Sequence, residues 1–197
     1  MIKPKLVLVA VCLFVLSAKG QRSNEWNSKK CAVVLTYDDA IDVDLDNVVP
    51  ASDSLKLKGT FYLIGSSPAV DKRIDEWRAI AENGHELGNH TLYHPCDGSK
   101  PGRSFVTPAS DLSKYTVERA VSEALINNTL LKAIDGKSVR TFAYPCGDTE
   151  INGVPFYPRL KKAFVAARGV IGGMQTIDKV NLDNVNCYSI NGRMPII

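Results

Sequence analysis

The fold of this 197-residue chain is indicated most directly by residues 84–94, GHELGNHTLYH. The turn at Asn83-Gly84 ends a helical pattern, and residues 85–90 then predict a short strand. The chain has three histidines, and two of them, His90 and His94, stand at the end of this stretch. The stretch therefore predicts a strand that carries imidazole groups at its carboxyl end.

Predicted strands and helices alternate on both sides of this stretch. Short apolar, β-branched runs indicate buried strands, and apolar residues at helical spacing, such as Ile74, Trp77 and Ala81, indicate helices. The predicted elements are strand 32–35, strand 60–64, a helix capped by Asp71 and ending at 83, strand 85–90, helix 115–134, strand 139–144, helix 157–163, strand 164–167 and strand 187–190. Such alternation is typical of an α/β fold with parallel strands.

Polar residues cluster where predicted strands end. Asp38-Asp39 follow the first strand, His90 and His94 follow the strand at residues 85–90, and residues 146–148 follow the strand at 139–144. Ligands of parallel α/β folds bind at the carboxyl ends of the strands. The three clusters are therefore expected to share one site.

The histidine pair and the aspartate pair are the candidate metal-binding residues. His90 and His94 have the i, i+4 spacing that lets two imidazoles bind one metal ion, and Asp39 can supply a carboxylate ligand. The side chain of Asp38 points to a different side from that of Asp39, so Asp38 can accept or donate a proton. Two other interpretations stay open from the residues alone: the histidines are unrelated polar residues at a turn, or the aspartates cap the next helix.

Arg140 lies near the start of the predicted strand at 139–144 and has two interpretations. It is a surface residue, or it binds an aspartate carboxylate in a bidentate pair and holds it ionised.

Three motifs together resemble a known family. In order, they are TYDDA at residues 36–40, GHELGNHTLYH at 84–94 and RTFAYPCG at 140–147. Their order and spacing resemble the polysaccharide deacetylases of carbohydrate esterase family 4, over about Cys31 to Gly169. The resemblance implies a distorted (β/α) barrel that removes acetyl groups from a sugar polymer with Zn²⁺ or another divalent ion.

The resemblance also implies a role for each candidate residue. Asp39, His90 and His94 would hold the metal, and Asp38 would activate the metal-held water that attacks the acetyl carbonyl. Arg140 would orient Asp38. The backbone N–H of Cys146, at a position where the family usually has tyrosine, would stabilise the oxyanion.

The family pattern is incomplete after residue 169. The family usually has a late Leu-x-His motif that supplies a general acid, whereas this sequence has no histidine after His94 and no tryptophan after Trp77. The barrel is therefore expected to lack its last strand. An alternative is a catalytically impaired, glycan-binding relative or a fragment of a deacetylase.

The first twenty residues predict a secretory signal peptide. Lys3 and Lys5 precede an apolar run at residues 6–16, and small residues follow at 17–20. We therefore expect a signal peptide at residues 1–20, a polar segment at 21–30 and one deacetylase-like domain at 31–197 with an incomplete C-terminal part. The expected location is outside the cell or in the periplasm, with no stable membrane insertion after cleavage.

Charge and cysteine content exclude some functions. Residues 21–197 hold 21 basic and 21 acidic residues, because the net charge of +3 comes from three lysines in the first twenty, and this balance argues against nucleic-acid binding. No basic pocket is evident, which argues against phosphate esters as substrates. An acetylated polysaccharide is the expected partner, and the oligomeric state is not readable. Four cysteines follow the signal segment and allow three full disulfide pairings.

Overall fold

The computed structural model describes residues 29–190, so the proposed signal peptide and the final seven residues lie outside the described residues. The elements are β1 (Leu35–Asp38), α1 (Val49–Ser54), β2 (Gly59–Leu63), α2 (Pro68–Lys72), α3 (Ile74–Glu82), β3 (Glu86–Asn89), α4 (Val117–Asp135), β4 (Phe142–Ala143), β5 (Glu150–Ile151), β6 (Val154–Pro155) and β7 (Ala167–Arg168). Within residues 29–190, five parallel strands form one sheet in the order β1-β2-β3-β4-β7. The predicted α/β class and the incomplete (β/α) barrel are confirmed, since these strands form a half-barrel.

Two apolar clusters hold helices against this sheet. Phe61, Leu63 and Leu87 of β2 and β3 pack with Trp77 of α3, and all four side chains are fully buried. A second cluster surrounds Phe142 of β4 and includes part of α4. Burying such side chains stabilises the fold by about 1.5–3 kcal/mol each. The carboxyl ends of β1, β3 and β4 are thereby fixed on one side of the sheet.

The first strand lies later in the sequence than predicted. The sequence indicated residues 32–35, but Val33 and Val34 are exposed and the strand begins at Leu35. The register explains the shift, because Leu35 lies opposite Gly59, where β2 begins. Residues 32–34 consequently have no partner strand within residues 29–190.

The helix predicted to start at Asp71 is two helices. Ser67, not Asp71, caps α2 by accepting a hydrogen bond from the N–H of Ala69 (3.3 Å). The helix is interrupted at Arg73, whose guanidinium contacts the acidic side chains of Asp42, Asp46 and Glu76. The longest helix agrees better with the sequence: Thr116 caps α4, and Gly136 ends it with a φ of 71°.

Elements in the second half are shorter than predicted. The strand predicted at 139–144 is regular only at Phe142–Ala143. Thr141 and Tyr144 still make single backbone bonds to β3 and β7, but the N–H of Thr141 bonds the Glu86 carboxylate (2.7 Å) and not a strand. The helix predicted at 157–163 is a 3-10 turn at Tyr157–Arg159, and the strand predicted at 164–167 is displaced to β7. No strand forms at residues 187–190, where Tyr188 and Ile190 are exposed.

An irregular segment extends the sheet beyond β7. Residues 182–187, here named the flanking segment, run beside β7, with Val185 bridged in parallel to Arg168. The N–H of Ala167 bonds the carbonyl of Leu182 (2.7 Å), and the N–H of Gly169 bonds the carbonyl of Val185 (2.9 Å). This pairing covers the edge that β7 would otherwise expose.

Among residues 29–190, the structure contains no helix with the length and apolar character needed to cross a bilayer.

Candidate functional site

The structure brings Asp39, His90 and His94 together at the carboxyl ends of β1 and β3. The Asp39 Oδ1 atom lies 3.5 Å from Nε2 of His90 and 3.4 Å from Nε2 of His94. One ligand atom from each of the three residues fits within 4.8 Å of the other two. These three residues are named the ligand triad below.

The donor set and spacing of the ligand triad fit a divalent metal ion. Tetrahedral ligands at about 2.1 Å from Zn²⁺ lie about 3.4 Å from one another, which agrees with the two distances to Asp39. Burial is the largest cause that lowers the pKa of His94, to about 4, so its imidazole is neutral at neutral pH. The contact with His90 lowers the pKa of Asp39, so its carboxylate is ionised. Neutral imidazole and ionised carboxylate are the forms that bind metal.

The environment of His90 favours a cation between it and Asp39. Nδ1 of His90 lies 2.9 Å from the carbonyl oxygen of Ala143 and must therefore carry the hydrogen. The lone pair of Nε2 then faces the Asp39 carboxylate at 3.5 Å. This arrangement is stable only if a cation lies between the two acceptors: either a proton on Nε2, which is the contact that lowers the pKa of Asp39, or a metal ion in place of that proton. Fixing one imidazole nitrogen with a carbonyl is also how proteins orient metal-binding histidines.

Backbone strain is concentrated at this site. Within residues 29–190, seven residues other than glycine have a positive φ, and five of them are Asp39 (78°), Ala40 (52°), Thr91 (67°), His94 (51°) and Cys146 (54°). Side chains with a Cβ avoid this region at a cost of about 1–2 kcal/mol. Such strain persists where the surrounding structure enforces a functional geometry.

The Asn89 side chain enforces the turn that separates the two histidines. Asn89 is fully buried, and its Oδ1 accepts hydrogen bonds from the N–H of Thr91 (2.7 Å) and from Nδ2 of Asn127 (3.2 Å). Its Nδ2 donates to the carbonyl of Ala124 (2.8 Å) and to Asn128 (2.7 Å). The turn is therefore tied to α4 by buried polar contacts.

The third histidine lies apart from the ligand triad. His85 is fully buried and contacts the N–H of Gly59 (3.2 Å) and the carboxylate of Asp53 (3.1 Å). Its imidazole links β3 to the start of β2.

Asp38 lies beside the ligand triad and pairs with an arginine. Its Oδ2 is 4.0 Å from Nε2 of His90, and both of its carboxylate oxygens lie 2.5 Å from Nη2 of Arg168. Arg168 ends β7 and is buried, with its guanidinium 5.1 Å from the centre of the Tyr62 ring. Burial acts to lower the pKa of Arg168, but the Asp38 carboxylate raises it, and the net shift is upward. The pair is therefore a stable ion pair at the edge of the site.

Arg140 does not orient Asp38, and the expectation that it would is wrong. Its guanidinium is buried at the opposite end of β4 and binds Asp135 (3.1 and 3.3 Å) and the carbonyls of Leu87 and Lys137 (2.6 Å each). Arg140 stands two residues before β4, whereas Asp38 stands where β1 ends, so the two residues belong to opposite ends of parallel strands. Arg168 makes the contact that was assigned to Arg140.

The sequence contained a signal for Arg168 that the prediction did not use. Arg168 is a charged residue directly after an apolar strand, and Gly169 follows it. The same rule, that polar residues at the carboxyl ends of strands form the site, had selected Asp38 and His90. The structural role of Asn89 had no such signal, because its partners in α4 are more than thirty residues away.

A disulfide between Cys96 and Cys146 joins two loops beside the site. It fixes one of the pairings that the sequence left open, and within residues 29–190 Cys31 and Cys187 are free. Cys146 lies in the turn after β4, three residues from Ala143, whose carbonyl holds His90. Cys96 and Cys146 also lie near His94, but their sulfurs are bonded to each other and are not metal ligands.

Sequence comparison decides the family. The family model described as polysaccharide deacetylase matches residues 26–154. The chain belongs to the polysaccharide deacetylase family. The matched region contains β1 to β4 and the whole ligand triad.

Individual relatives agree with this family assignment. The chain is 30% identical over 164 residues to a gellan lyase of a Bacillus species, covering 83% of this chain and 6% of that protein. It is 38% identical over 69 residues to a peptidoglycan-N-acetylglucosamine deacetylase of Bacillus cereus, covering 34% of this chain and 24% of the relative. The chain thus spans about a quarter or less of these two relatives.

A solved structure supports the deacetylase fold. The Streptococcus pyogenes deacetylase PplD in complex with acetate superposes with a TM-score of 0.66 at 17% identity, covering 85% of this chain and 69% of that one.

Asp148 attaches the loop after β3 to the turn after β4. Its side chain is 1% exposed and accepts hydrogen bonds from the N–H of Asp97 (2.8 Å), from Lys100 and from Arg103. Burial acts to raise the pKa of Asp148, but the contacts with Arg103, the Asp97 N–H and Lys100 outweigh it and lower the pKa. The ionised form of Asp148 therefore stabilises the fold.

We expect Asp148→Asn to lower the free energy of unfolding by about 3 kcal/mol at pH 7, because it removes one member of a buried ion pair. A depressed folded pKa stabilises the fold above the unfolded pKa of about 3.9, and this stabilisation is lost as pH falls through the folded value. Urea unfolding of both proteins between pH 7 and 3 should show the difference shrinking below about pH 4. Asp75→Asn, at a side chain that is 88% exposed, should change stability by about 0.5 kcal/mol or less and is the control. A difference for Asp148→Asn that is constant with pH would contradict the assignment.

Proposed function

We propose that this chain is a metal-dependent hydrolase that removes acetyl groups from a polysaccharide. One observation carries the proposal: the ligand triad and the Asp38–Arg168 pair lie side by side, with Oδ2 of Asp38 4.0 Å from Nε2 of His90. A metal ligand set next to a carboxylate with its own counter-ion is the combination that hydrolysis by an activated water requires.

Asp39, His90 and His94 would hold Zn²⁺ or another divalent ion. A bound ion of this kind supplies a Lewis acid that polarises the acetyl carbonyl and lowers the pKa of a nearby water. Three protein ligands leave coordination positions for substrate and water, as catalytic zinc sites do. The unequal exposure of the three side chains supports this role: His90 is 2% and His94 24% exposed, whereas Asp39 is 51% exposed and leaves the site open to solvent.

Asp38 is the proposed general base. Its side chain is 36% exposed, so substrate and water can reach it, and Arg168 holds both of its oxygens in place. Asp38 takes a proton from the water as this water attacks the acetyl carbon. Once protonated, Asp38 can return this proton to the leaving amine or hydroxyl.

The backbone N–H of Cys146 is the proposed oxyanion donor. The positive φ of Cys146 (54°) and its disulfide to Cys96 fix the peptide after β4 in one orientation. A fixed N–H dipole stabilises the negative charge that develops on the carbonyl oxygen, and removing one such donor typically costs 10²–10³-fold in rate in other hydrolases.

The proposed substrate is an N-acetylated or O-acetylated glycan met outside the cytoplasm. The similarity to a peptidoglycan-N-acetylglucosamine deacetylase favours an N-acetyl group. The predicted signal peptide and the disulfide both favour an exported protein, since disulfides persist in oxidising compartments.

The test is acetate release before and after metal removal. The full chain is incubated with N-acetylglucosamine oligomers, peptidoglycan and acetylated xylan, and free acetate is quantified. We expect release with Zn²⁺, loss of release after chelation, and recovery when Zn²⁺ is restored. Glycan binding and metal binding without acetate release would instead identify a non-catalytic glycan-binding relative and overturn the proposed hydrolase.

A further inference from the structure

Cys187 contacts the arginine that holds the proposed base. Nη1 of Arg168 lies 3.5 Å from Sγ of Cys187, and the thiol in turn donates to the carbonyl of Gly169 (3.1 Å). Nη1 also donates to the same carbonyl (2.9 Å). The thiol and Nη1 therefore share one acceptor, while Nη2 of the same guanidinium binds Asp38.

The backbone of the flanking segment (residues 182–187), which carries this thiol, is held in place by hydrogen bonds. Backbone hydrogen bonds join it to β7 at Ala167 and Gly169, and the N–H of Cys187 bonds the carbonyl of Ile171 (3.0 Å). The phenol of Tyr144 donates to the carbonyl of Asp183 (2.8 Å).

A side chain of the flanking segment also packs on Gly169, the residue after β7. A Cβ added at Gly169 would lie 2.0 Å from Oδ1 of the Asn184 side chain, so this side chain packs on the backbone of Gly169 and would have to move if the residue were not glycine. The position of Cys187 is therefore tied to the strand that carries Arg168.

Apart from Asp38, Gly169 and Cys187, the groups around Arg168 do little to fix the orientation of its guanidinium. Tyr62 offers only a ring face at 5.1 Å, and Nε of Arg168 is buried without a hydrogen-bond partner among the described residues. The groups that hold Nη1 are thus the Gly169 carbonyl and the Cys187 sulfur.

We propose that Cys187 is a positioning residue of the reaction: its thiol holds Arg168 in the orientation that binds Asp38. This inference rests on the proposed function, in which Asp38 is the base. Cys187 itself touches neither substrate nor metal, and it acts through Arg168. A cysteine sulfur is a weak acceptor, so its effect is a modest one on geometry.

The first test is independent of catalysis. Rotation of the Arg168 guanidinium about its Cζ–Nε bond is measured by ¹⁵N NMR in the wild-type chain and in Cys187→Ala and Cys187→Ser. We expect slow rotation in the wild type and in Cys187→Ser, whose hydroxyl keeps a donor and an acceptor, and rotation several-fold faster in Cys187→Ala. If Cys187→Ala does not fold, Cys187→Val removes the polar atom at similar volume and serves instead. Equal rotation rates in all variants would overturn the inference, whatever the enzyme activity.

The second test measures turnover. In acetate release with Zn²⁺, Cys187→Ala should lower kcat about fivefold, the effect of one weak hydrogen bond, with KM and Zn²⁺ affinity unchanged. Cys187→Ser should restore kcat to within about twofold of the wild type. Cys31→Ser, at the other free cysteine and an exposed one, is the matched control and should leave kcat unchanged.

A Cys187→Ala variant with wild-type kcat and only a lower melting temperature would show a purely structural role. Absence of acetate release in the wild type would overturn the proposed function but leave the NMR result to decide the role of Cys187.

Discussion

His90→Ala is expected to lower the affinity of this chain for Zn²⁺ by about 10²–10³-fold, because it deletes one of three protein ligands. The free energy of Zn²⁺ binding to a complete protein site is about 10–16 kcal/mol, so the loss of one ligand removes a substantial part of it. The effect should be large because His90 is 2% exposed and its ring is oriented by the carbonyl of Ala143. No other histidine can move into its position. Isothermal titration with Zn²⁺, with competing chelators for the tight wild-type binding, gives the two affinities.

His85→Ala is the matched control for this prediction. It removes another fully buried imidazole from the same strand region, but one that contacts Gly59 and Asp53 instead of the ligand triad. We expect it to lower stability and to leave the Zn²⁺ affinity of the folded protein unchanged. Equal losses of affinity in the two variants would mean that His90 acts through folding, and the metal site would have to be reassigned.

Asp38→Asn is expected to lower kcat for acetate release by about a thousandfold, the usual contribution of a general base. The amide has nearly the same shape but cannot take a proton, and Arg168 loses its counter-ion. Zn²⁺ should still saturate the variant, since Asp39, His90 and His94 remain. The measurement is steady-state acetate release at saturating Zn²⁺, together with metal content.

Asp135→Asn offers a control of the same chemical type. Asp135 also pairs with an arginine, Arg140, but its side chain is 1% exposed and lies at the end of α4 away from the ligand triad. Breaking this buried pair should lower the free energy of unfolding by about 3 kcal/mol and leave kcat per folded molecule unchanged. If Asp135→Asn lost turnover and Asp38→Asn kept it, the base would be wrongly assigned.

The parallel sheet was predictable from the sequence because its central strands are buried on both faces. Every residue of β2 is buried, and the β-branched and aromatic run at residues 60–63 indicates this directly. Helix α4 was equally clear, since Thr116 caps its start and Gly136 ends it. The bounds of the short strands were not predictable. Next to the two-residue β4, for example, the N–H of Thr141 bonds the Glu86 carboxylate, a contact that depends on a side chain of another strand.

The candidate site was predictable where residues are close in sequence. The ligand triad follows two strand ends, and local motifs identify it. The partner of Asp38 was not predictable, because Arg168 is 130 residues away in the sequence. The two residues meet only because the strand order places β7 and β1 at opposite edges of a curved sheet. Arg140 was chosen for its place in a motif, whereas the side of the sheet on which it lies depends on the start of β4.

The Cys96–Cys146 bond closes a loop of 50 residues, and this loop contains the whole of α4. Restricting an unfolded chain over that length lowers its conformational entropy enough to favour the native state by about 4 kcal/mol. That amount is comparable with much of the net stability of a typical domain. The cross-link thus couples folding to the redox state of the surroundings: the fold is less stable under reducing conditions and gains this stabilisation only where the bond can form.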